Sequence, residues 1–146
     1  MTVLDAQAVV AALTGEPAAP QVESLLRSAG DPPCISAVNV AEVIDVLTRG
    51  KGITVGIVRE RLNWLVVGAL EVVPLDEHTG GLAGELRARH YVRNSRPVSL
   101  ADCCALATAM TRAERIATAD IALAQMAREE GVEVVPLLDD AGRRPI

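Results

Sequence analysis

The chain predicts an α/β fold, a parallel sheet of about five short strands flanked by helices, and three observations predict it. Short apolar runs alternate with longer segments of helical spacing from one end of the sequence to the other. The turn residues between them separate strand from helix rather than strand from strand, so successive strands pair in parallel through right-handed crossovers. A length of 146 residues, half of them hydrophobic and 23% charged, is enough for one domain with a substantial core and too little for two. Residues 1–146 therefore read as a single domain in which the polar end, 137–146, is a loosely held tail.

Thr2 to Asp5 is a short apolar start, followed by a helix over Ala6 to Leu13 that Gly15 and Pro17 interrupt. Pro20 to Ala29 places Val22, Leu25 and Leu26 at helical spacing and ends at Gly30. Cys34-Ile35 is a strand, Ser36 an N-cap, and Ala37 to Thr48 a helix stopped by Gly50. Ile57, Val58, Leu62, Leu65 and Val66 give a helix over Thr54 to Ala69, and Leu70 to Pro74 a strand. Asp76 caps a helix running to about His90, which carries Gly80, Gly81 and Gly84 at about 1 kcal/mol each relative to Ala if interior. Tyr91 to Val98 is a loop and Leu100 to Met110 a helix. Arg115 to Thr118 is a strand, Ile121 to Glu130 a helix stopped by Gly131, and Val132 to Val135 the last strand.

Four carboxylates fall where these strands end or apolar helices begin: Asp5, Glu42, Asp102 and Asp120. Acids inside the most apolar stretches of a chain call for a compensating cation, a proton or water. Each also has a plain reading. Asp5 and Asp120 fit N-caps, Ser99-Leu-Ala-Asp102 fits a capping box, and Asn39, Glu42, Asp45 and Arg49 line one helical stripe that reads as a solvated face. The helix after Ser99 is so rich in Ala, Cys and Leu that it should be buried nearly all round, Asp102 with it. In open parallel sheets ligands bind beyond the carboxyl ends of the strands, and four caps at one such edge are better explained as one site. Carboxylate oxygens without His or Cys suit a hard cation, Mg2+ or Mn2+.

Other chemistries find less support. Cys34, Cys103 and Cys104 show no Cys-x-x-Cys spacing, His78 and His90 no ligand spacing, and neither a nucleophile elbow nor a phosphate-binding Gly-Lys loop is present. A net charge of -5 argues against broad attraction to nucleic acid backbones but leaves metal-mediated phosphate binding open. No apolar run approaches a membrane span and no leader pattern opens the chain, so no membrane association and a cytoplasmic location are expected.

The acids and their flanks resemble those of the PIN-domain nucleases, in particular the toxin members of VapBC-type toxin–antitoxin pairs. Val3-Leu4-Asp5 is similar to the family's opening strand and first acid, and Ile35-Ser36-Ala-Val-Asn-Val-Ala-Glu42 to the segment with the second. Pro97-Val-Ser99-Leu-Ala-Asp102 resembles the third-acid helix and Thr118-Ala-Asp120 the fourth-acid segment, so the likeness spans nearly the whole chain. One residue departs: Gln7 stands where Ser or Thr often follows the first Asp.

The resemblance implies a three-layer PIN-like sandwich and metal-dependent endonucleolytic hydrolysis of RNA by an in-line water, with Asp5, Glu42, Asp102 and Asp120 as the catalytic, Mg2+- or Mn2+-holding acids. Thr118, Gln7 and Ser36 would orient them from behind. The run Arg87, Arg89, Arg93 and Arg96 is a candidate RNA guide or a solvated helix end, and the near absence of aromatics favours structured RNA such as tRNA or rRNA. Implied partners are a cognate antitoxin and a second copy of the chain in a homodimer. Trp64 to Val67 reads either as an apolar strip for one of these or as core. A catalytically weak PIN-fold module that binds antitoxin or RNA is the alternative, favoured by Gln7. An aspartyl-phosphate receiver would need a lysine at the acids, and the only one, Lys51, follows a helix end.

Overall fold

The computed structural model describes residues 1–144, in which five strands form one all-parallel sheet of order β3-β2-β1-β4-β5. The strands are β1 (Thr2–Leu4), β2 (Cys34–Ser36), β3 (Glu71–Val73), β4 (Arg115–Thr118) and β5 (Val134–Pro136). Around them lie α1 (Ala6–Thr14), α2 (Ala19–Leu26), α3 (Ala37–Asp45), α4 (Val55–Gly68), α5 (Glu77–His90), α6 (Leu100–Arg112) and α7 (Ile121–Glu129).

Strand alternation sorts the core into two layers. Val3 pairs in register with Cys34 and Ile116 and all three turn to one face, against Leu86, Leu106, Leu123 and Met126 of α5, α6 and α7. Leu4, Ile35 and Ala117 turn to the other, against Val9, Val22, Val43 and Leu62 of α1 to α4. Both faces are covered, as a parallel sheet requires, so consecutive residues at the middle of the central strands, Val3-Leu4, Cys34-Ile35 and Ile116-Ala117, are all buried and apolar. The chain order reverses at β1, whose neighbours are β2 and β4, which makes the gap between the carboxyl ends of β1 and β4 the topological switch point.

Three elements differ from expectation. The helix predicted to reach Thr48 leaves α geometry after Asp45 and widens into a π turn over Val46–Gly50, where the Thr48 hydroxyl donates back to the Ile44 and Asp45 carbonyls at 2.7 and 3.4 Å. The last strand starts at Val134 rather than Val132, because the Val132 N–H closes α7 by donating to the Ala127 carbonyl at 2.8 Å. The α6 helix is buried from Cys103 to Ala109 as expected, yet Asp102 at its mouth is only half-buried. The three cysteines are free and buried. Beyond β5, Leu137 is buried and donates its N–H to the Thr118 carbonyl at 3.0 Å, and Asp139 accepts from the Arg143 N–H at 2.8 Å. Pro145 and Ile146, the end of the expected tail, lie outside the described residues. Among the described residues no helix is long and apolar enough to cross a membrane.

Candidate functional site

Asp5 leaves β1 at the switch point and caps α1: its Oδ1 accepts the Ala8 N–H at 2.8 Å, while its own N–H reaches the Ala117 carbonyl of β4 at 3.4 Å. Its Oδ2 accepts the Thr118 hydroxyl at 2.5 Å, and that hydroxyl in turn accepts the Asp120 N–H at 2.9 Å. One threonine thus couples the first and fourth acids across two adjacent strands. Asp120 caps α7 through Oδ1 to the Leu123 N–H at 2.7 Å and is exposed.

The other two acids stand on helices that meet over the same edge. Asp102 closes the predicted capping box: Oδ2 accepts the Ser99 N–H at 2.7 Å and Ser99 Oγ accepts the Asp102 N–H at 3.0 Å. Glu42, half-buried on α3, accepts a hydrogen from Asn39 Nδ2 at 3.2 Å, and the same nitrogen donates to the Ala101 carbonyl of α6 at 3.3 Å. Asn39 is fully buried, which overturns its place on a solvated face; Asp45 and Arg49 do pair near the surface. Asn39 is the one site residue that sequence reasoning missed as such, although its position one turn before Glu42 was the available signal.

The caps do not exclude a site, because they use one oxygen of Asp102 and of Asp120 and leave the other without a protein donor among the described residues. The electrostatics bear this out. Burial pushes the Asp5 carboxyl up to about 7, against the lowering effect of the Thr118 and Ala8 donors and with further upward pressure from Asp102 and Asp120. Burial also raises Glu42 and Asp102; Asp102 repels Glu42, and Asp120 repels both. Asp102 and Asp120 thus each act on both Asp5 and Glu42, and no cation among the described residues is paired to the four acids. Among those residues no three His, Cys, Asp or Glu side chains surround one point as a preformed cage. The donors the site offers are all carboxylate oxygens, whose chemistry suits a hard cation such as Mg2+ or Mn2+ rather than zinc.

A cleft of about 340 Å³ opens beside Asp120, the one candidate acid that lines it, with Gln7, Glu16, Leu137, Asp139 and Asp140 also on its wall. Gln7 is exposed on its wall. Ser36 is buried and caps α3, with Oγ accepting the Val38 N–H at 3.3 Å; its hydrogen bonds do not reach an acid. The predicted arginine run is divided. Arg96 is paired with Glu129 through both its terminal nitrogens and Arg89 with Glu130 at 2.9 Å, while Arg87 donates to the Val98 carbonyl and stacks on Tyr91. Arg93 is exposed and makes no ion pair among the described residues. The α4 strip is a surface: Trp64 and Val67 are 70% and 76% exposed, while Leu65 packs partly against the core.

Comparison with known proteins agrees with this fold. The sequence profile of the PIN domain matches residues 2–129. No curated protein matches the sequence. Among solved structures, FitAcB from Neisseria gonorrhoeae is 25% identical, with a TM-score of 0.62 over 92% of this chain and 96% of that one. VapBC2 from Rickettsia felis, bound to a DNA fragment from its promoter, is 16% identical with a TM-score of 0.68 over 92% and 96%. VapC20 from Mycobacterium tuberculosis, a sarcin-ricin loop cleaving toxin, is 16% identical with a TM-score of 0.65 over 86% and 94%.

Proposed function

The chain belongs to the PIN-domain family, and from that premise we propose that it is a Mg2+- or Mn2+-dependent endoribonuclease, the toxin of a toxin–antitoxin pair acting in the cytoplasm. The observation that carries the reading is the placing of Asp5, Glu42, Asp102 and Asp120 at the carboxyl edge of the sheet with no cation among the described residues paired to them. Asp5, Glu42 and Asp102 would hold the ion, and Asp120 would join directly or through water. When bound, the ion lowers the pKa of a water and offsets charge developing on the scissile phosphate. The chain's own contribution is positional. Thr118 holds Asp5 in place by donating to Oδ2, the Ser99 N–H occupies Asp102 Oδ2 and leaves Oδ1 without a protein donor, and exposed Asp120 is the carboxylate we assign to accept the proton of the attacking water.

Likeness to a toxin–antitoxin complex and to a toxin that cleaves the sarcin-ricin loop supports a structured RNA substrate and an antitoxin partner. The exposed apolar strip of α4 supports a protein contact there, with the antitoxin or with a second copy in a homodimer. Exposed Gln7, in place of a small hydroxyl beside the acids, favours a second reading as a catalytically weak binding module.

The experiment that separates the two incubates antitoxin-free protein with total cellular RNA under Mg2+, Mn2+ and chelator, beside Asp5→Asn and Asp102→Asn variants. Discrete fragments carrying 5′-phosphates, lost on chelation and reduced about 10²-fold or more in both variants, are expected. Intact RNA under every metal condition leaves only the binding module.

A further inference from the structure

Asn39 is 0% exposed, and its amide makes an asymmetric choice. Both hydrogen bonds come from Nδ2, to Glu42 Oε2 and to the Ala101 carbonyl 62 residues away, while Oδ1 is buried with no donor. Buried polar atoms without partners are rare and costly, so this one requires an account. Turning the amide over would not supply it, because Oδ1 would then face a carboxylate and a carbonyl, neither of which has a hydrogen to give. The orientation is fixed by the two acceptors, at the expense of the oxygen.

The two acceptors lie on different elements of the site. Glu42 is an acid of α3, and Ala101 immediately precedes Asp102 in the first turn of α6. A single NH2 group therefore spans the seam between the helices that carry the second and third acids. Asp102 and Glu42 repel one another, and no cation among the described residues lies between them to counter that. Without the strap, the flexible Glu42 side chain has nothing to hold it to the site edge rather than to solvent.

We infer that Asn39 is a positioning residue of the carboxylate site, tying Glu42 to the Asp102-bearing turn of α6 so that both acids reach the same cation. The inference rests on the metal-dependent reading above. Asn39 touches neither substrate nor ion; it acts through Glu42 and α6.

The test titrates Mn2+ into the full chain by calorimetry, for the native protein and for Asn39→Ala and Asn39→Leu, with thermal melts to establish folding and RNA-cleavage kinetics on the same samples. Ala leaves room in the seam and Leu fills it, so the two variants sample both ways of losing the amide. Folded variants should bind Mn2+ about 10- to 100-fold more weakly and lose kcat with KM for RNA unchanged. Native affinity in either folded variant overturns the inference and leaves the nuclease reading standing. If the native chain itself binds no Mn2+, both fall. If neither variant folds, Asn39 serves core packing and the inference fails.

Discussion

Thr118 and Asp5, 113 residues apart in sequence, share a buried hydrogen bond of 2.5 Å. The threonine stands at the end of β4 and the aspartate just past β1, so the contact forms only when these two strands pair in register, Leu4 beside Ala117. Because the same hydroxyl accepts the Asp120 N–H, replacing it strips a donor from one acid and an acceptor from the backbone of another. Thr118→Val keeps shape and β-branching. It should cost about 1–3 kcal/mol in denaturant unfolding and weaken Mn2+ binding, since Asp5 becomes still harder to ionise. Unchanged stability and Mn2+ affinity would remove Thr118 from the site.

The raised Asp5 carboxyl, up to about 7, sets a pH dependence whose sign is fixed. The folded state holds this proton more tightly than the unfolded chain does, so the contribution is fully present below the ordinary aspartate value of 3.8 and is lost as pH rises through about 7. In chelator, urea midpoints should therefore fall between pH 4 and 8, and Asp5→Asn, which cannot ionise, should flatten that slope and be the more stable protein at pH 8. Mn2+ binding should tighten over the same interval and release protons, seen as a buffer-dependent calorimetric heat. A native profile parallel to that of Asp5→Asn would refute the assignment.

The arginines separate by their partners. Arg96 bonds Glu129 and His90, while His90 Nε2 lies 2.6 Å from Glu130, so this cluster holds the Tyr91–Val98 loop against the end of α7. Arg96→Gln should lower Tm by a few degrees and speed hydrogen exchange in that loop, a cost of about 1 kcal/mol for partly exposed pairs. Arg93→Gln should leave Tm unchanged and raise KM for RNA, with a shallower salt dependence. Equal effects of the two on KM would restore the run as one guide.

Trp64 is the only tryptophan, so its fluorescence reports on α4 without labels. At 70% exposure it should emit as a solvated indole and shift to the blue when a partner covers the strip. Trp64→Ser should fold normally and abolish association, followed by light scattering for the homodimer and by co-purification for the antitoxin. No shift with either partner moves the interface elsewhere.

How much of this was legible in sequence follows the range of the interactions. The strand ends, Asp5, Asp120 and the Ser99–Asp102 box are written in consecutive residues, and turn chemistry reads them directly. The burial of Asn39 depends on a carbonyl 62 residues away, and the pairing of Arg96 with Glu129 spans 33. Helical periodicity sees only the stripe on which Asn39 sits, not the second helix that covers it. The exposure of Trp64 was undecided for the same reason: α4 is anchored by Val58 and Leu62 alone among its fully buried residues, a matter of what packs on it rather than of its own pattern.

The order of the strands also places the site in time. Asp5 belongs to the first strand made and Asp120 to the turn after the fourth, yet they are partners at the centre of the sheet. At about 5–20 residues per second, a ribosome completes the second half of this acid edge on the order of ten seconds after the first. Throughout that interval Asp5 has neither Thr118 to donate to it nor β4 to bury it, and it behaves as an ordinary solvated aspartate. On the proposed nuclease function, the acid edge is therefore complete only once β4 has paired beside β1.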